Sequence, residues 1–145
     1  EENEVSTSNN FKINTEKKNF KISNNRSRIG QQNFRINVLS AYKYRCCVTR
    51  SDLIDAIEAN HIHPYFGVGT NNVQNGIPLR ADIHKLWTKG LLGINDQFKV
   101  ILSEKAKNSE SYKKYHDQPI MLPTNPKYHP DKAALLRWCN LHELI

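Results

Sequence analysis

In "QQNFRINVLSAY", residues 31–42, Phe34, Val38, Leu39 and Tyr42 recur near the helical period, so the pattern predicts an amphipathic helix that opens a globular domain. Residues 1–29 read differently: they are rich in Asn, Ser, Lys and Glu, with Phe11, Ile13, Phe20 and Ile22 scattered among them. We read 1–29 as a flexible polar and basic arm or linker and 30–145 as the folded domain. Within the arm, "FKI" at 11–13 and again at 20–22 could supply a short pair of edge strands, and its lysines and arginines could touch a phosphate backbone.

Further along, "RCCVT" at 45–49 is short, partly β-branched and partly apolar, which predicts a strand. "SDLIDAIEANHIHPY" predicts a turn or short helix leading into a second strand that ends at Pro64, and Gly67 and Gly69 predict a loose loop beyond it. "RADIHKLWTKG" at 80–90 predicts a helix, with Asp82 in its first turn, Ile83, Leu86 and Trp87 as an apolar stripe, and Gly90 as its stop. "LLGINDQFKVILS" predicts a β-hairpin about its Asn-Asp turn, and "SESYKKYHDQP" a short helix. "HPDKAALLRWCNLHELI" predicts a C-terminal helix with Pro130 in its first turn.

Composition narrows the class. The 145 residues suit one domain with length to spare, and hydrophobic residues make up 38%. No apolar run approaches the roughly 20 residues that span a bilayer, and no signal-peptide pattern opens the chain, so a soluble, cytoplasmic protein is expected. The first residue is Glu1 and the only methionine is Met121, which leads us to expect a piece of a longer protein. Cys46, Cys47 and Cys139 are odd in number and form no CxxC, so neither a disulfide framework nor a thiolate zinc knuckle is expected. A net charge of +7 favours a polyanionic partner such as nucleic acid.

Three of the six histidines, His61, His63 and His84, lie between residues 58 and 87, with Asn75 between the second and third. A strand pair followed by a helix can bring such residues together. Phosphodiester hydrolysis needs that arrangement: a neutral imidazole takes a proton from water, and a divalent ion steadies the charge that grows on the phosphate and leaving oxygen. Taken singly, each histidine is better read as structural and Asn75 as a turn residue before Gly76. Their spacing with Pro64 reverses that preference for His61, Asn75 and His84.

"NHIHP", Asn75 and His84 together resemble the HNH endonuclease motif of the restriction-type branch. The flanking "GQQNFRINVLSAYKYRCCVT" and "NGIPLRADIHKLWTKGLLGI" extend the likeness over residues 30–102. The resemblance implies an α+β fold: a ββα-metal core of two antiparallel strands and a helix, here with flanking helices and an additional β-hairpin. It implies that His61 is the general base, that Asn75 braces the loop and orients the base, and that His84 is a metal ligand. Where many relatives place a second ligand, directly before the base, this chain has Asn60, whose neutral carbonyl is a weaker donor. His63, two residues on, is either a substitute ligand or phosphate contact, or simply an exposed residue at a strand end. Arg80 and Ile83 stand where some members carry a zinc-knuckle CxxC, which leaves the bracing to Leu79, Leu86 and Trp87.

Arg80, Lys85 and Lys89 flank the motif and are candidate DNA contacts, while Asp82 reads as a helix-start residue. His116 and His129 read as loop histidines, and Trp138 and His142 as packing residues. The function implied is a metal-dependent DNA endonuclease, in a restriction or phage-defence system, with one divalent ion: Mg²⁺ first, then Mn²⁺, Ni²⁺ or Zn²⁺. A separate N-terminal part would recognise the target, and a homodimer would serve double-strand cleavage. The competing readings are a non-catalytic DNA-binding module with a degenerate site, and a nonspecific nuclease that also cuts RNA.

Overall fold

The computed structural model describes residues 25–145. The paired FKI triplets and most of the basic arm lie outside them. Helix α1, Asn25–Ala41, begins before the point where the apolar pattern changes, and it buries the predicted Phe34, Val38, Leu39 and Tyr42. A 3₁₀ turn at Ile54–Ala56 leads into β1, Ile57–His61, which pairs antiparallel with β2, Gly76–Arg80. Helix α2, Ala81–Thr88, follows β2 without a break, and Gly90 ends that segment at φ +71°. The order β1, β2, α2 is the ββα unit that the resemblance implies.

Strand alternation assigns the two faces of this small sheet. Gly76 lies opposite His61 in the register, and the ring of His61 stacks on Phe34 of α1, with centroids 4.0 Å apart and planes 6° from parallel. Ile77 and Leu79 lie opposite Asn60 and Glu58 and share their face, the one to which α2 contributes His84. The sheet thus lies between α1 and α2.

A second hairpin, β3 Leu92–Ile94 with β4 Val100–Leu102, forms where the Asn-Asp turn predicts it. Helix α4, Lys132–Leu141, closes the molecule. Its Trp138 stacks on Trp87 of α2 at 4.8 Å and donates an indole hydrogen bond to Leu92 O. The N-cap of α4 is Asp131, whose carboxylate accepts from Ala134 N, so Pro130 precedes the cap instead of occupying the first turn.

Two local expectations change. "RCCVT" is a turn and not a strand: Arg50 N donates to Cys46 O, Cys46 N to Ser51 O, and Tyr44 and Arg50 take positive φ. Burial of Cys46, Cys47 and Val48 outweighs their β-propensity. The backbone of Cys47 tethers this turn to both neighbours, donating to Pro78 O and accepting from Met121 N. The segment 109–119 holds only a 3₁₀ turn at Lys113–Tyr115; the α-helical turn, α3, comes earlier at Glu104–Lys107, capped by Ser103.

Candidate active site

His61 ends β1 and is held from three sides. Phe34 stacks on one ring face, Tyr65 meets the ring edge-on at 5.8 Å, and Asn71 Oδ1 lies 2.9 Å from Nε2. An amide oxygen only accepts, so Nε2 donates to it, and in the neutral ring Nδ1 is the nitrogen with the free lone pair. Nδ1 is the nitrogen that a general base needs. The sequence reading did not single out Asn71; only the folded loop brings it back onto a residue ten positions earlier.

Asn75 ties the intervening loop. Its Oδ1 accepts from His63 N at 2.8 Å, and its Nδ2 donates to His63 O and Thr70 O at 3.0 Å each. Ile62 N donates to Asn75 O and so extends the β1–β2 ladder one step past its last pair. The loop that Gly67 and Gly69 would have left loose is anchored at both ends, and Thr70 Oγ1 adds bonds to Phe66 N and Gly67 O. These contacts are what a loop-bracing asparagine would make. It acts on the backbone beside His61 and not on the ring itself.

On the other face of β1, His84 Nδ1 contacts the carboxylate of Glu58. Glu58 is the acidic residue that reading the motif overlooked. The signal available was strand alternation: Glu58 and Asn60 are two apart and share a face, whereas attention went to the position directly before the base. Asn60 is buried, and its amide nitrogen has no hydrogen-bond partner among the described residues. An orphaned polar group of this kind usually marks strain or a missing partner.

His63 does not join His84 in any hydrogen bond. Its Nδ1 accepts from Arg137 Nη1 of α4, 3.2 Å away. Arg80 is engaged by Asp82 through both carboxylate oxygens, at 2.6 and 2.9 Å, with Ser51 Oγ at 3.3 Å. This fork, helped by the Tyr112 hydroxyl, holds the Asp82 carboxyl below the usual carboxylate range. Lys85 and Lys89 lie at the exposed end of α2 and enter no ion pair among the described residues. Leu79 and Trp87 are fully buried and Leu86 partly so, the bracing expected in place of a zinc knuckle.

His61 and the Glu58–His84 pair therefore occupy opposite faces of β1, instead of meeting in one cluster. Among the described residues β1 pairs with β2 alone, and on its other edge Arg35 Nη1 donates to Ile57 O at 2.6 Å. Among the described residues no three His, Cys, Asp or Glu side chains form a metal cage. Glu58 and His84 supply two hard or borderline donors that already touch, and Asn60 could supply a neutral oxygen from the same face. That set fits one divalent ion with open positions.

The HNH endonuclease family profile matches residues 46–95. Among solved structures, a modification-dependent TagI restriction endonuclease aligns with a TM-score of 0.53 and 20% identity, over 75% of this chain. The chain spans 37% of that enzyme's length. No curated protein matches the sequence. The matched segment holds β1, β2 and α2 with His61, Asn75 and His84, and over this segment the chain is similar to the HNH endonuclease family.

Proposed function

We propose that this domain is a divalent-metal-dependent DNA endonuclease serving a restriction-type system. The observation that carries the reading is the setting of His61: its Nε2 donates a hydrogen bond to Asn71 Oδ1 and its ring is clamped by Phe34, which leaves Nδ1 of the neutral ring to accept a proton. A neutral, oriented imidazole at the end of a strand can deprotonate water. A bound divalent ion would supply the positive charge that stabilises the transition-state oxyanions. Glu58 and His84 are the residues we assign to hold it, with Asn60 contributing its amide oxygen.

A phosphodiester held beside β1 would be met by His61 from one face and by the Glu58–His84 pair from the other. His61 takes the proton from the attacking water, the loop tied by Asn75 keeps that imidazole in register, and hydrolysis leaves a 5′-phosphate and a 3′-hydroxyl. One such site cuts one strand, so a double-strand break calls for a second copy. Lys85 and Lys89 are the flanking cations free to meet backbone phosphates; Arg80 is committed to Asp82 and reads as a structural residue. The restriction setting is supported by the aligned endonuclease and by the share of its length that this chain leaves unmatched, where a target-recognition part would lie.

Plasmid nicking in Mg²⁺, Mn²⁺ or Ni²⁺ tests the reading. His61→Ala should slow nicking by about 10²- to 10⁴-fold at unchanged Tm, and RNA digested in parallel separates DNA from RNA preference. Wild-type protein that nicks no faster than His61→Ala in every metal overturns it. Mn²⁺ should raise the Tm of wild type, and Glu58→Gln should shrink that rise.

A further inference from the structure

Outside the matched segment, α4 presents an unused cation to the active-site loop. Arg137 is exposed and donates from Nη1 to His63 Nδ1. It forms no ion pair among the described residues. An arginine bonded from one nitrogen to an imidazole, with most of its five donors uncommitted among the described residues, is poised for an anion. The two side chains line a cleft of about 430 Å³, with Asn72, Gln74 and Asn75 on the loop side. Asp131 at its rim spends its carboxylate on capping α4 at Ala134 N. The cleft is also fixed relative to the base. Asn75 bonds both the N–H and the C=O of His63, Asp131 N donates to Gln74 O, and Gln74 Nε2 donates to Lys127 O.

His63 stands two residues beyond His61, where the chain bends as it leaves β1. We propose that Arg137, with His63 beside it, is a backbone-phosphate subsite for the nucleotide next to the scissile position, supplied by the C-terminal helix and not by the ββα unit. The proposal rests on the nuclease reading above. Arg137 here is a substrate-positioning residue: guanidinium donors match phosphate oxygens in pairs and fix the register of the strand without reading bases.

The experiment measures binding of the chain to a fluorescein-labelled duplex by anisotropy in EDTA, where cleavage is off, across a KCl series. Wild type, Arg137→Gln and Arg137→Lys are compared, alongside metal-dependent hydrolysis of bis(4-nitrophenyl) phosphate, a diester too small to reach the cleft. Losing one phosphate contact should flatten the slope of log K against log salt by about 1 and weaken binding roughly tenfold at low salt. Arg137→Lys should keep the wild-type slope, and small-diester hydrolysis should be the same in all three. An unchanged slope in Arg137→Gln overturns the subsite, as does loss of small-diester hydrolysis, which would mark Arg137 as a support of the active-site loop. If wild type hydrolyses neither substrate in any metal, the nuclease reading falls, and the anisotropy slopes still decide the subsite.

Discussion

Among the described residues the partner offered to His61 Nε2 is Asn71 Oδ1, an acceptor, so Nε2 is the nitrogen that donates. That one hydrogen bond selects the tautomer in which Nδ1 can act. Asn71→Ala frees the ring to exchange tautomers and to turn about its χ2, so a fraction of molecules present the protonated nitrogen to water. We expect kcat for DNA nicking to fall about tenfold or more, within the range of general-base effects, with KM little changed, as steady-state kinetics would show. A matched fall in affinity with kcat intact would mean that Asn71 serves the loop and not the base. Neither nearest neighbour of the ring was readable beforehand. Phe34 is visible in the sequence as a core residue of a helix, but nothing in its spacing says that its ring closes on a histidine 27 positions later.

At the level of elements, β1 and β2 work because α1 comes very close to them. A Cβ built on Gly76 would lie 2.7 Å from Phe34 Cζ and closer still to Val38 Cγ2. Both belong to the buried face of α1, so neither can swing away. Gly76→Ala should therefore push α1 off the sheet and destabilise the fold by about 1–3 kcal/mol, read by urea unfolding. Nicking should fall with it, because Phe34 carries the stack on His61. A variant as stable as wild type would show that α1 moves freely.

The start of α2 makes a different prediction. Asp82 has its carboxyl held low, chiefly by the Arg80 fork, so its pKa is lower folded than unfolded. Such a group stabilises the protein above the ordinary carboxylate range near pH 4, and that contribution is lost as the pH falls through the folded value. Asp82 is about a third exposed, so solvent screens the pair and the effect is modest. Thermal melts from about pH 7 to pH 2 should show wild type above Asp82→Asn at neutral pH, with the gap closing in acid. Parallel profiles would remove the ion pair as the cause.

Across the whole molecule, the family segment does not stand alone. Trp87 of α2 is sealed by Trp138 of α4, Cys139 Sγ donates to Ile94 O, and the C-terminal segment reaches back to the motif loop through Asp131, Lys127 and Arg137. Burial of Cys139 pushes its thiol up to about 11, so at neutral pH it is an inert packing group, as its place under the hairpin requires. A chain ending at Leu122 would expose Trp87, Leu92 and Ile94, each buried in the intact fold. It should bind a hydrophobic dye and lose its cooperative thermal transition. Cooperative melting of that truncation would show that the ββα unit and hairpin are self-sufficient.

The elements themselves were legible because local signals agree with the final packing: the apolar stripe of α1, the Asn-Asp turn of the second hairpin, Gly90 after α2 and the capped α4 each appear where the pattern puts them. For the candidate site, the sequence by itself pointed to His61, Asn75 and His84, because motif spacing along two strands and a helix is a linear code. It missed the turn at "RCCVT", where burial of two cysteines overrides a β-prone composition. It also missed Glu58, Asn71 and Arg137. These three reach the site by strand alternation, by the return of a loop and by the docking of α4. Contacts of that kind join residues 10, 26 and 74 positions apart, and no linear spacing records them. Which nitrogen of His61 is free, which carboxylate faces His84 and which arginine faces the cleft were decided only by tertiary structure, because each depends on where a distant partner's donor or acceptor comes to rest.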